Sequence, residues 1–357
     1  MSGMGKIQLV HKYEDVISLE NLLEAWREFV RGKRGRKDVQ EFESRLMDNI
    51  LTLHRHLSTK SYSHSSYEAF RISDPKPRDI HKAMVQDRLL HHALYQILYP
   101  FFDRTFIADS YSCRLEKGVH KALNQFQSFG RKVSLNHTKT AWILKCDIRK
   151  FFASIDQEVL LEILRGYIPD GDILWLLEGV IESFRTNCHS GLRPGIWIPD
   201  PCLPAKQEVR DDEHRGLPLG NLTSQLLVNI YMNEFDQFVK HRLKAKYYIR
   251  YADDFVIFSQ DRKWLEVILK EMKVFLQERL KLELHPDKVS IATLASGVDF
   301  LGWVHFPDHH VLRTVTKRRM FRNIRVKEGK KETAQSYLGL LGHGNGYALK
   351  EWIERQI

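Results

Sequence analysis

Hydrophobic residues along this chain recur mostly at helical spacing, interrupted by a few short runs at strand spacing. Between residues 18 and 60, apolar side chains return every three or four positions, which predicts two helices separated by a basic turn. The same spacing predicts further helices at residues 82–99, 118–130, 156–185, 222–243 and 262–280. Basic helical segments are expected to close the chain.

Short apolar runs rich in β-branched and aromatic residues predict the strands. WILKCDI (142–148) is expected to form a strand that ends near a carboxylate, and KYYIRYADDFVIFS (246–259) a hairpin around an Ala-Asp-Asp turn. A strand pair is expected around residues 289–306. DPKPRDI (74–80) should be extended, because its prolines disfavour helix. Helices and strands mix without regular βαβ alternation, so the predicted fold class is α+β.

The composition of the 357 residues, 43% hydrophobic and 28% charged, is typical of a globular protein with two or three subdomains. No run approaches the roughly 20 apolar residues of a membrane span, and the N-terminus lacks a signal-like stretch. The four cysteines are dispersed, which does not indicate a disulfide framework. The expected location is the cytoplasm.

Positive charge is concentrated in two segments. The formal net charge is +10, and residues 313–331 hold nine Lys or Arg against one acid, Glu328. A second basic run, RGKRGRK, occupies residues 31–37. Either run alone is consistent with a solvated face. Two basic segments on both sides of a central acidic motif are more typical of a groove that follows a phosphate backbone.

Three aspartates form the central candidate site: Asp147 at a strand end, and Asp253 and Asp254 at a hairpin turn. Two adjacent acids repel each other unless a cation or solvent offsets their charge. Magnesium takes carboxylate oxygens readily, and nucleotidyl transfer uses two Mg²⁺ ions roughly 3.5–4 Å apart. The alternative is a solvated turn, since aspartate is common in turns.

At these residues the chain resembles a known family. YADD (251–254) is similar to the signature of reverse transcriptases, and the family's other blocks follow in the expected order. They are DPKPRDI (74–80), DSYSCRLEKGVHKAL (109–123), KCDIRKFFASID (145–156), GLPLGNLTSQLLVNIYMNEFD (216–236), LELHPDKVSI (282–291) and VDFLGW (298–303). The resemblance extends from about residue 20 to the end of the chain.

Within that family, GNLTSQ (220–225) carries Ser224-Gln225 where most members have Ser-Pro. With FVKHRL (238–243) and SYLGLLGHGNGYAL (336–349), it resembles the reverse transcriptases of diversity-generating retroelements. This resemblance implies mutagenic copying of a template-repeat RNA into cDNA that diversifies a target gene, with errors at template adenines. It also implies a small, basic, oligomeric accessory protein as partner, besides dNTPs, template RNA and the primer–template duplex.

The resemblance further implies a right-hand polymerase fold. Its expected parts are a helical N-terminal extension (1–65), fingers (66–135), a palm (136–310) with a Pro-rich insertion at 186–215, and a basic thumb (311–357). The cofactor implied is a pair of Mg²⁺ ions, with Mn²⁺ as a substitute. Cys188, His189, Cys202 and His214 lack zinc-finger spacing, so no zinc site is expected there.

Roles for single residues follow from the same resemblance. Asp147, Asp253 and Asp254 are the expected catalytic residues, and with Ile148 they form the expected metal-binding set. The expected substrate-binding residues are Arg78, Arg114, Phe152, Gln225 and Lys288. Phe300, Leu301 and Gly302 match the primer grip. The expected nucleic-acid-binding residues are Lys317, Arg318, Arg319 and Arg322.

Each role has a structural alternative. Phe152, the expected steric gate against a ribose 2′-hydroxyl, is otherwise a core residue beside Phe151. Arg78 and Arg114 are otherwise surface cations, Lys288 a solvated loop lysine, and residues 300–302 a plain strand with a bulge. Gln225 otherwise caps or packs its helix. Asp156 and Asp236 also match family positions, where we expect caps or salt-bridge partners.

Two other functions compete with this interpretation. A prokaryotic reverse transcriptase of the phage-defence or group II intron kind would share the same palm motifs. No maturase or endonuclease domain is recognisable, which disfavours a typical group II intron enzyme. The rival from another class is a nucleic-acid-binding protein with an inactive palm. The three carboxylates and the aromatic gate are all present, which disfavours an inactive protein.

Overall fold

The computed structural model describes residues 7–73, 77–189, 215–326, 331–342 and 344–355. These residues combine helices and strands, in agreement with the mixed α and β prediction. They divide into two compact units. The first unit draws on residues 1–106, 150–235 and 277–282, and the second on residues 107–149, 236–276 and 283–357.

The first unit begins with a group of helices. They are α1 (Tyr13–Ile17), α2 (Leu19–Val30), α3 (Lys37–Glu43), α4 (Leu46–Ser58) and α5 (Val85–Asp103). Ser18 caps α2 by accepting a hydrogen bond from the Asn21 amide at 3.2 Å. Three helices lie between residues 18 and 60, so the prediction of two was wrong. Helix α3 escaped prediction because Val39 is its one buried residue, which gives no periodicity.

The first unit also contains a hairpin of β1 (Glu68–Ile72) and β2 (Arg78–Lys82), in which Phe70 lies opposite Ile80. Its remaining helices are α7 (Phe151–Ser154), α8 (Gln157–Arg165), α9 (Gly171–His189) and most of α10 (Leu222–Gln237). Asp156 caps α8 through the Val159 amide at 3.0 Å, as expected of a capping residue. Within the predicted 186–215 insertion, residues 190–214 lie outside the described residues, as do Cys202 and His214 of the discounted zinc set.

A four-stranded antiparallel sheet is the centre of the second unit. It consists of β3 (Trp142–Asp147), β4 (Tyr248–Tyr251), β5 (Asp254–Ser259) and β6 (Ser290–Thr293), in the order β4-β5-β3-β6. Helix α6 (Val119–Val133) packs Phe126 and Phe129 against Ile143 and Phe258 of the sheet. A short π-helical turn (Phe238–Arg242) precedes β4, and α11 (Arg262–Leu280) follows β5. The predicted strand, hairpin and helix of this region are confirmed.

The region predicted as one strand pair near residues 289–306 is more divided. Strand β6 joins the main sheet beside β3, and a separate sheet contains β7 (Val298–Phe300), β8 (Trp303–His305) and β9 (His310–Leu312). The chain then forms α12 (Thr314–Val326), α13 (Lys331–Leu341) and α14 (Tyr347–Glu354). A second apolar core joins Trp303 to Met320, Ile324 and Leu341. Among the described residues, no helix combines the length and apolar character needed to cross a membrane.

Gly344 allows the closing segment to approach this core. A Cβ atom there would overlap the Trp303 ring and lie 2.9 Å from Cδ2 of His310. We therefore expect Gly344→Ala to destabilise the protein by about 1–3 kcal/mol, since the Trp303 ring must move. Urea unfolding measures the change. Gly339→Ala is the matched control, because a Cβ at that helical position meets nothing within 4 Å and should be neutral or stabilising. Equal stability of the two variants would contradict this packing.

Candidate active site

The hairpin turn between β4 and β5 places two of the three predicted aspartates. Ala252 adopts a positive φ of 55°, which lets the chain reverse at Ala252-Asp253. Asp254 is the first residue of β5 and lies opposite Tyr251 in the β4–β5 register. The Ala-Asp-Asp turn was predicted from the sequence, and its position is confirmed.

The third aspartate reaches the same edge of the sheet through strand pairing. Asp147 is the last residue of β3 and lies directly opposite Asp254 in the antiparallel β3–β5 register. The Ile148 amide donates to the Asp253 carbonyl oxygen at 3.2 Å, which joins the strand end to the turn. The Ile148 side chain is a buried hydrocarbon, and the main-chain carbonyl is the only oxygen that this residue can offer as a ligand. Residues far apart in sequence therefore meet at one place.

Burial and mutual repulsion raise the free energy of the ionised carboxylates. Burial first, and then the Asp253 charge, raise the pKa of Asp254 from its ordinary value to about 7, with a smaller contribution from Asp147. Lys145 and Lys288 act in the opposite direction. A bound cation offsets such repulsion better than solvent does at a partly buried site.

A lysine already neutralises part of this charge. Lys288 Nζ lies 2.9 Å from both carboxylate oxygens of Asp147. The short 3₁₀ turn Pro286–Lys288 carries this lysine, and the His285 amide holds the segment by donating to the Asp147 carbonyl oxygen at 2.7 Å. Lys288 therefore contacts the Asp147 carboxylate rather than standing free in a loop.

The donor set suits a hard divalent cation. Within the described ranges, no group of three or more His, Cys, Asp or Glu side chains is arranged to hold a metal ion. The residues present nevertheless fit Mg²⁺, because Asp147, Asp253 and Asp254 supply carboxylate oxygens at adjacent backbone positions. Burial and the Asp253 charge destabilise the ionised form of Asp254 and so raise its pKa, and a bound cation would stabilise that ionised form.

A fully buried ion pair supports the aspartate turn. The Arg250 guanidinium donates to both Asp236 oxygens, from Nε at 2.8 Å and from Nη2 at 2.7 Å. Its Nη1 donates to the Ala252 carbonyl oxygen at 3.1 Å, and Nη2 also donates to the Ser110 hydroxyl at 3.1 Å. Tyr248 donates its hydroxyl to Asp236 at 2.7 Å. The expectation of a salt-bridge role for Asp236 is confirmed.

Arg250 was not predicted as a site residue, although the sequence contains a signal. An arginine inside the apolar run YYIRY is unusual, because a buried guanidinium needs a carboxylate partner. Asp236 raises the pKa of Arg250 despite the opposing effect of burial. The main-chain bond to Ala252 shows what the arginine does, since it fixes the residue immediately before Asp253.

Other predicted residues of the second unit have clear surroundings. The Phe300 ring is fully buried and stacks on Phe126 at 5.4 Å, so it packs the core. Leu301 and Gly302 form the β7–β8 turn with positive φ values of 50° and 86°. Arg114 donates to the main-chain oxygens of Ile107 at 2.7 Å and Ser110 at 3.0 Å, and so braces its own loop.

The four predicted basic residues of α12 do not share one environment. Met320 and Ile324 of the same helix face the apolar core. Lys317, Arg318 and Arg322 are exposed, whereas Arg319 is half-buried. The helix therefore presents at least three cations to solvent.

The remaining predicted residues belong to the first unit. Arg78 begins β2 and is exposed. Phe152 on α7 is half-buried, whereas its neighbour Phe151 is buried. Gln225 lies in the first turns of α10 and lines a pocket with Phe29 and Arg36.

Loss of one partner of the buried pair should be costly. Asp236→Ala leaves the Arg250 charge buried without its carboxylate, so we expect a loss of about 3–5 kcal/mol in unfolding free energy. Glu266→Ala is the matched control, because its pair with Arg262 is exposed and contributes less than about 1 kcal/mol. Urea unfolding of both variants measures the difference. A cost for Asp236→Ala no larger than that for the control would mean that other contacts hold the turn.

Residues 73–305 match the family model described as "Reverse transcriptase (RNA-dependent DNA polymerase)". The matched segment contains the three aspartates, the Arg250–Asp236 pair and Lys288. It ends before the basic helix α12, and it begins after the N-terminal helices α1–α4.

The chain is also similar to individual proteins. It is 26% identical over 286 residues to "Protein YkfC" of Escherichia coli strain K12, a match that covers 71% of this chain and 67% of that protein. It is 23% identical over 304 residues to "Group II intron-encoded protein LtrA" of Lactococcus lactis subsp. cremoris, covering 65% and 44% respectively. The chain thus spans less than half the length of the second relative.

Among solved structures, a telomerase from Candida albicans with a telomeric RNA fragment aligns with a TM-score of 0.45 and 10% identity, over 76% of this chain and 51% of that chain. The matched family segment covers well over half of the 357 residues. The chain therefore belongs to the reverse transcriptase family of RNA-dependent DNA polymerases.

Proposed function

We propose that this protein copies a template RNA into cDNA by two-metal nucleotidyl transfer. The observation that carries the proposal is the register of β3 against β5, which sets Asp147 opposite Asp254 and beside the Asp253 turn. Carboxylates on paired strands give a rigid platform for the reacting phosphate groups. The exposed cations of α12 and the net charge of +10 support a nucleic-acid substrate.

The proposed reaction is an in-line displacement at the α-phosphorus of a dNTP. The primer 3′-oxygen forms the new bond to phosphorus and loses its proton, while the bond to the pyrophosphate oxygen breaks. Two Mg²⁺ ions, with Mn²⁺ as a substitute, supply charge stabilisation for the attacking and leaving oxygens when bound. Asp147, Asp253 and Asp254 would hold them, and the Lys288 ammonium adds positive charge beside Asp147.

The right-hand architecture belongs to the same proposal. We assign a helical extension to residues 1–65, fingers to 66–135, the palm to 136–310 and the thumb to 311–357. The hairpin of β1 and β2 suits a fingers element, because its exposed Arg78 is available to a triphosphate. Arg114 has two main-chain oxygens as partners, so a structural role in its loop is as well supported as a phosphate contact.

Substrate selection is assigned to Phe152. The ring is half-buried beside the buried Phe151, with ring centroids 5.6 Å apart. A partly accessible ring offers a bulky surface and no hydrogen bond, as exclusion of a ribose 2′-hydroxyl requires. The primer grip is assigned to the turn of Leu301 and Gly302, since Phe300 is buried.

Removal of one carboxylate charge should abolish polymerisation without unfolding the protein. Asp253→Asn keeps the shape of the turn, lowers the repulsion on Asp254 and removes a charged ligand. A metal ion contributes several kcal/mol to such a transition state, so we expect primer extension to fall about a hundredfold or more. The assay extends a primer on RNA with dNTPs and Mg²⁺.

Asp308→Asn is the control for that experiment, because Asp308 is an exposed aspartate in the turn between β8 and β9. It should extend the primer at the wild-type rate. Circular dichroism checks that both variants fold. Near-normal extension by Asp253→Asn would overturn the two-metal assignment.

Two biological contexts fit such an enzyme. The Ser224-Gln225 motif and the C-terminal block support a diversity-generating retroelement, with template-repeat RNA and a basic accessory protein as partners. The similarity to a protein named as group II intron-encoded supports the alternative of an intron-like or phage-defence prokaryotic reverse transcriptase. Error patterns distinguish the two, because only the first requires selective misincorporation at template adenines.

Gln225 is the residue through which we test that context. Its amide offers a donor and an acceptor that proline lacks, and its own main-chain N–H bond to Asn221 is long at 3.4 Å, so proline sacrifices little there. We expect wild-type errors to concentrate at template adenine and Gln225→Pro to reduce that bias several-fold. Sequencing of cDNA made on a defined RNA, with any accessory protein present, measures it.

Gln225→Met serves as the control, since it keeps the side-chain length and removes the amide. If Met behaves like Pro, the amide matters; if only Pro changes the errors, the backbone matters. Wild-type errors spread evenly over the four template bases would exclude the diversity-generating context and leave the polymerase proposal intact.

A further inference from the structure

A pocket of about 390 Å³ lies wholly within the first unit. Its volume is in the range of sites that hold a small organic group. Helix α2 and the turn after it supply one wall, the β1–β2 hairpin and α5 supply others, and the start of α10 closes it. The residues that matter here are Phe29, Lys33, Arg36, Phe70, Arg88 and Gln225.

The pocket wall carries an excess of positive charge. Lys33, Arg36, Lys82 and Arg88 all line it. Asp38 accepts from Lys82 at 3.0 Å and from Arg88 at 2.5 Å, and Glu68 accepts from Lys82 at 3.1 Å, so two carboxylates pair with two of the four cations. Burial, and then the charges of Arg88 and Arg36, lower the pKa of Lys33. The cations therefore repel one another, and a bound anion would relieve that repulsion.

Two buried polar atoms on the wall lack a partner. Among the residues that the structure describes, neither Arg88 Nε nor His91 Nδ1 has a hydrogen-bond partner. His91 is 1% exposed, and its other ring nitrogen lies 3.2 Å from Nε2 of His64. Both atoms are shielded from solvent, and an unsatisfied buried polar atom is costly.

Aromatic rings accompany the cations. Lys33 Nζ lies 4.5 Å from the centre of the Phe29 ring, and the Arg88 guanidinium lies 5.1 Å from it. Phe70 is 46% exposed on the hairpin, which is unusual for a phenylalanine unless its ring has a partner. Cations that track phosphates, combined with rings that stack on bases, are the two features of single-stranded nucleic-acid sites.

Two side-chain amides, those of Asn221 and Gln225, lie on the polar side of the pocket. Asn221 donates its side-chain amide to the His81 carbonyl oxygen at 3.1 Å and is buried. Gln225 lies one helical turn further along α10 and is half-buried. Its amide presents a donor and an acceptor together, which is the pattern that a base edge requires.

We infer that this pocket binds one unpaired nucleotide of an RNA strand. Lys33 and Arg36 hold its phosphate, Phe70 stacks on its base, and Gln225 contacts the base edge. The inference rests on the proposed function in that the strand is the template RNA. Phe29, Lys33 and Arg36 precede residues 73–305, so this part of the pocket lies outside the segment that matches the family, whereas Lys82 and Arg88 lie within it. A free nucleotide shares this chemistry, and the experiment distinguishes the two sources.

The test compares two double variants that remove equal charge from one basic run. Lys33→Gln with Arg36→Gln alters the pocket, whereas Arg34→Gln with Lys37→Gln alters exposed residues outside its lining. The probes are a labelled primer–template duplex with a single-stranded 5′ RNA overhang and the same duplex with a blunt end. Affinity is measured by fluorescence anisotropy over a salt series.

We expect the pocket variant to lose affinity for the overhang duplex several-fold and to keep its affinity for the blunt duplex. The slope of log affinity against log salt should fall by about 0.7 for each lost single-strand phosphate contact. The control variant should treat the two probes alike. Equal losses on both probes, or equal losses in both variants, would overturn the inference.

A second arm tests the stacking surface with a residue whose exposure makes misfolding less of a concern. Phe70→Ser should weaken overhang binding about fivefold or more, since a base loses its aromatic partner. Leu51→Ala is the control, because Leu51 is similarly exposed on α4 at 47%. Unchanged overhang affinity in Phe70→Ser would overturn the stacking assignment.

Adenosine monophosphate identifies the source of the nucleotide. If AMP binds wild type but not the Lys33/Arg36 variant, while the overhang has no effect, the occupant is a free nucleotide and the strand inference fails. Primer extension by wild type is measured in parallel. If wild type does not extend the primer but its binding of the overhang duplex still depends on Lys33 and Arg36, the proposed function is overturned and the pocket assignment stands.

Discussion

The buried pair of Arg250 and Asp236 is the constraint on which the aspartate turn depends. Both side chains are completely buried, so neither charge is solvated and each requires the other. The geometry satisfies them, because the guanidinium makes two bonds to the carboxylate and further bonds to Ser110 and the Ala252 carbonyl. The bonds that offset the free-energy cost of burying the two charges therefore also fix the position of this turn. Any movement of that turn would break a bond to a buried guanidinium.

This rigidity matters because the turn concentrates like charges. Asp253 and Asp254 are adjacent, and strand pairing brings Asp147 opposite Asp254. The negative charges of these carboxylates repel one another, and this repulsion, together with burial, raises the pKa of Asp254. The fold opposes that tendency with backbone hydrogen bonds between β3 and β5 and with the Lys288 ammonium. The fold therefore holds these like charges close together, and a divalent cation would reduce their repulsion.

The sequence predicted this part of the molecule well because its signals are local. Strand β3, the Ala-Asp-Asp hairpin and most helices follow from short-range periodicity and turn chemistry. Long-range pairing is different. Nothing in the spacing of Lys288 indicates its bonds to Asp147, and β1 escaped prediction because its exposed residues show no alternation. Motif order named the candidate residues, whereas their partners required the fold.

The contrast between local sequence signals and long-range packing also applies to the two groups of basic residues, those of α12 and those of the pocket. The cations of α12 belong to one helix, where a basic segment with Met320 and Ile324 buried can be predicted from the local sequence alone. Lys33 and Arg36 come from the turn after α2 and Arg88 from α5, and only packing in the first unit brings them to one cavity. From the sequence, residues 31–37 are a basic turn, and only the structure shows that the Phe29 ring lies next to Lys33 and Arg88. Charges in a solvated run repel one another weakly, whereas charges that lie over an aromatic ring and are partly desolvated interact more strongly with an anion, and that difference is a property of the fold.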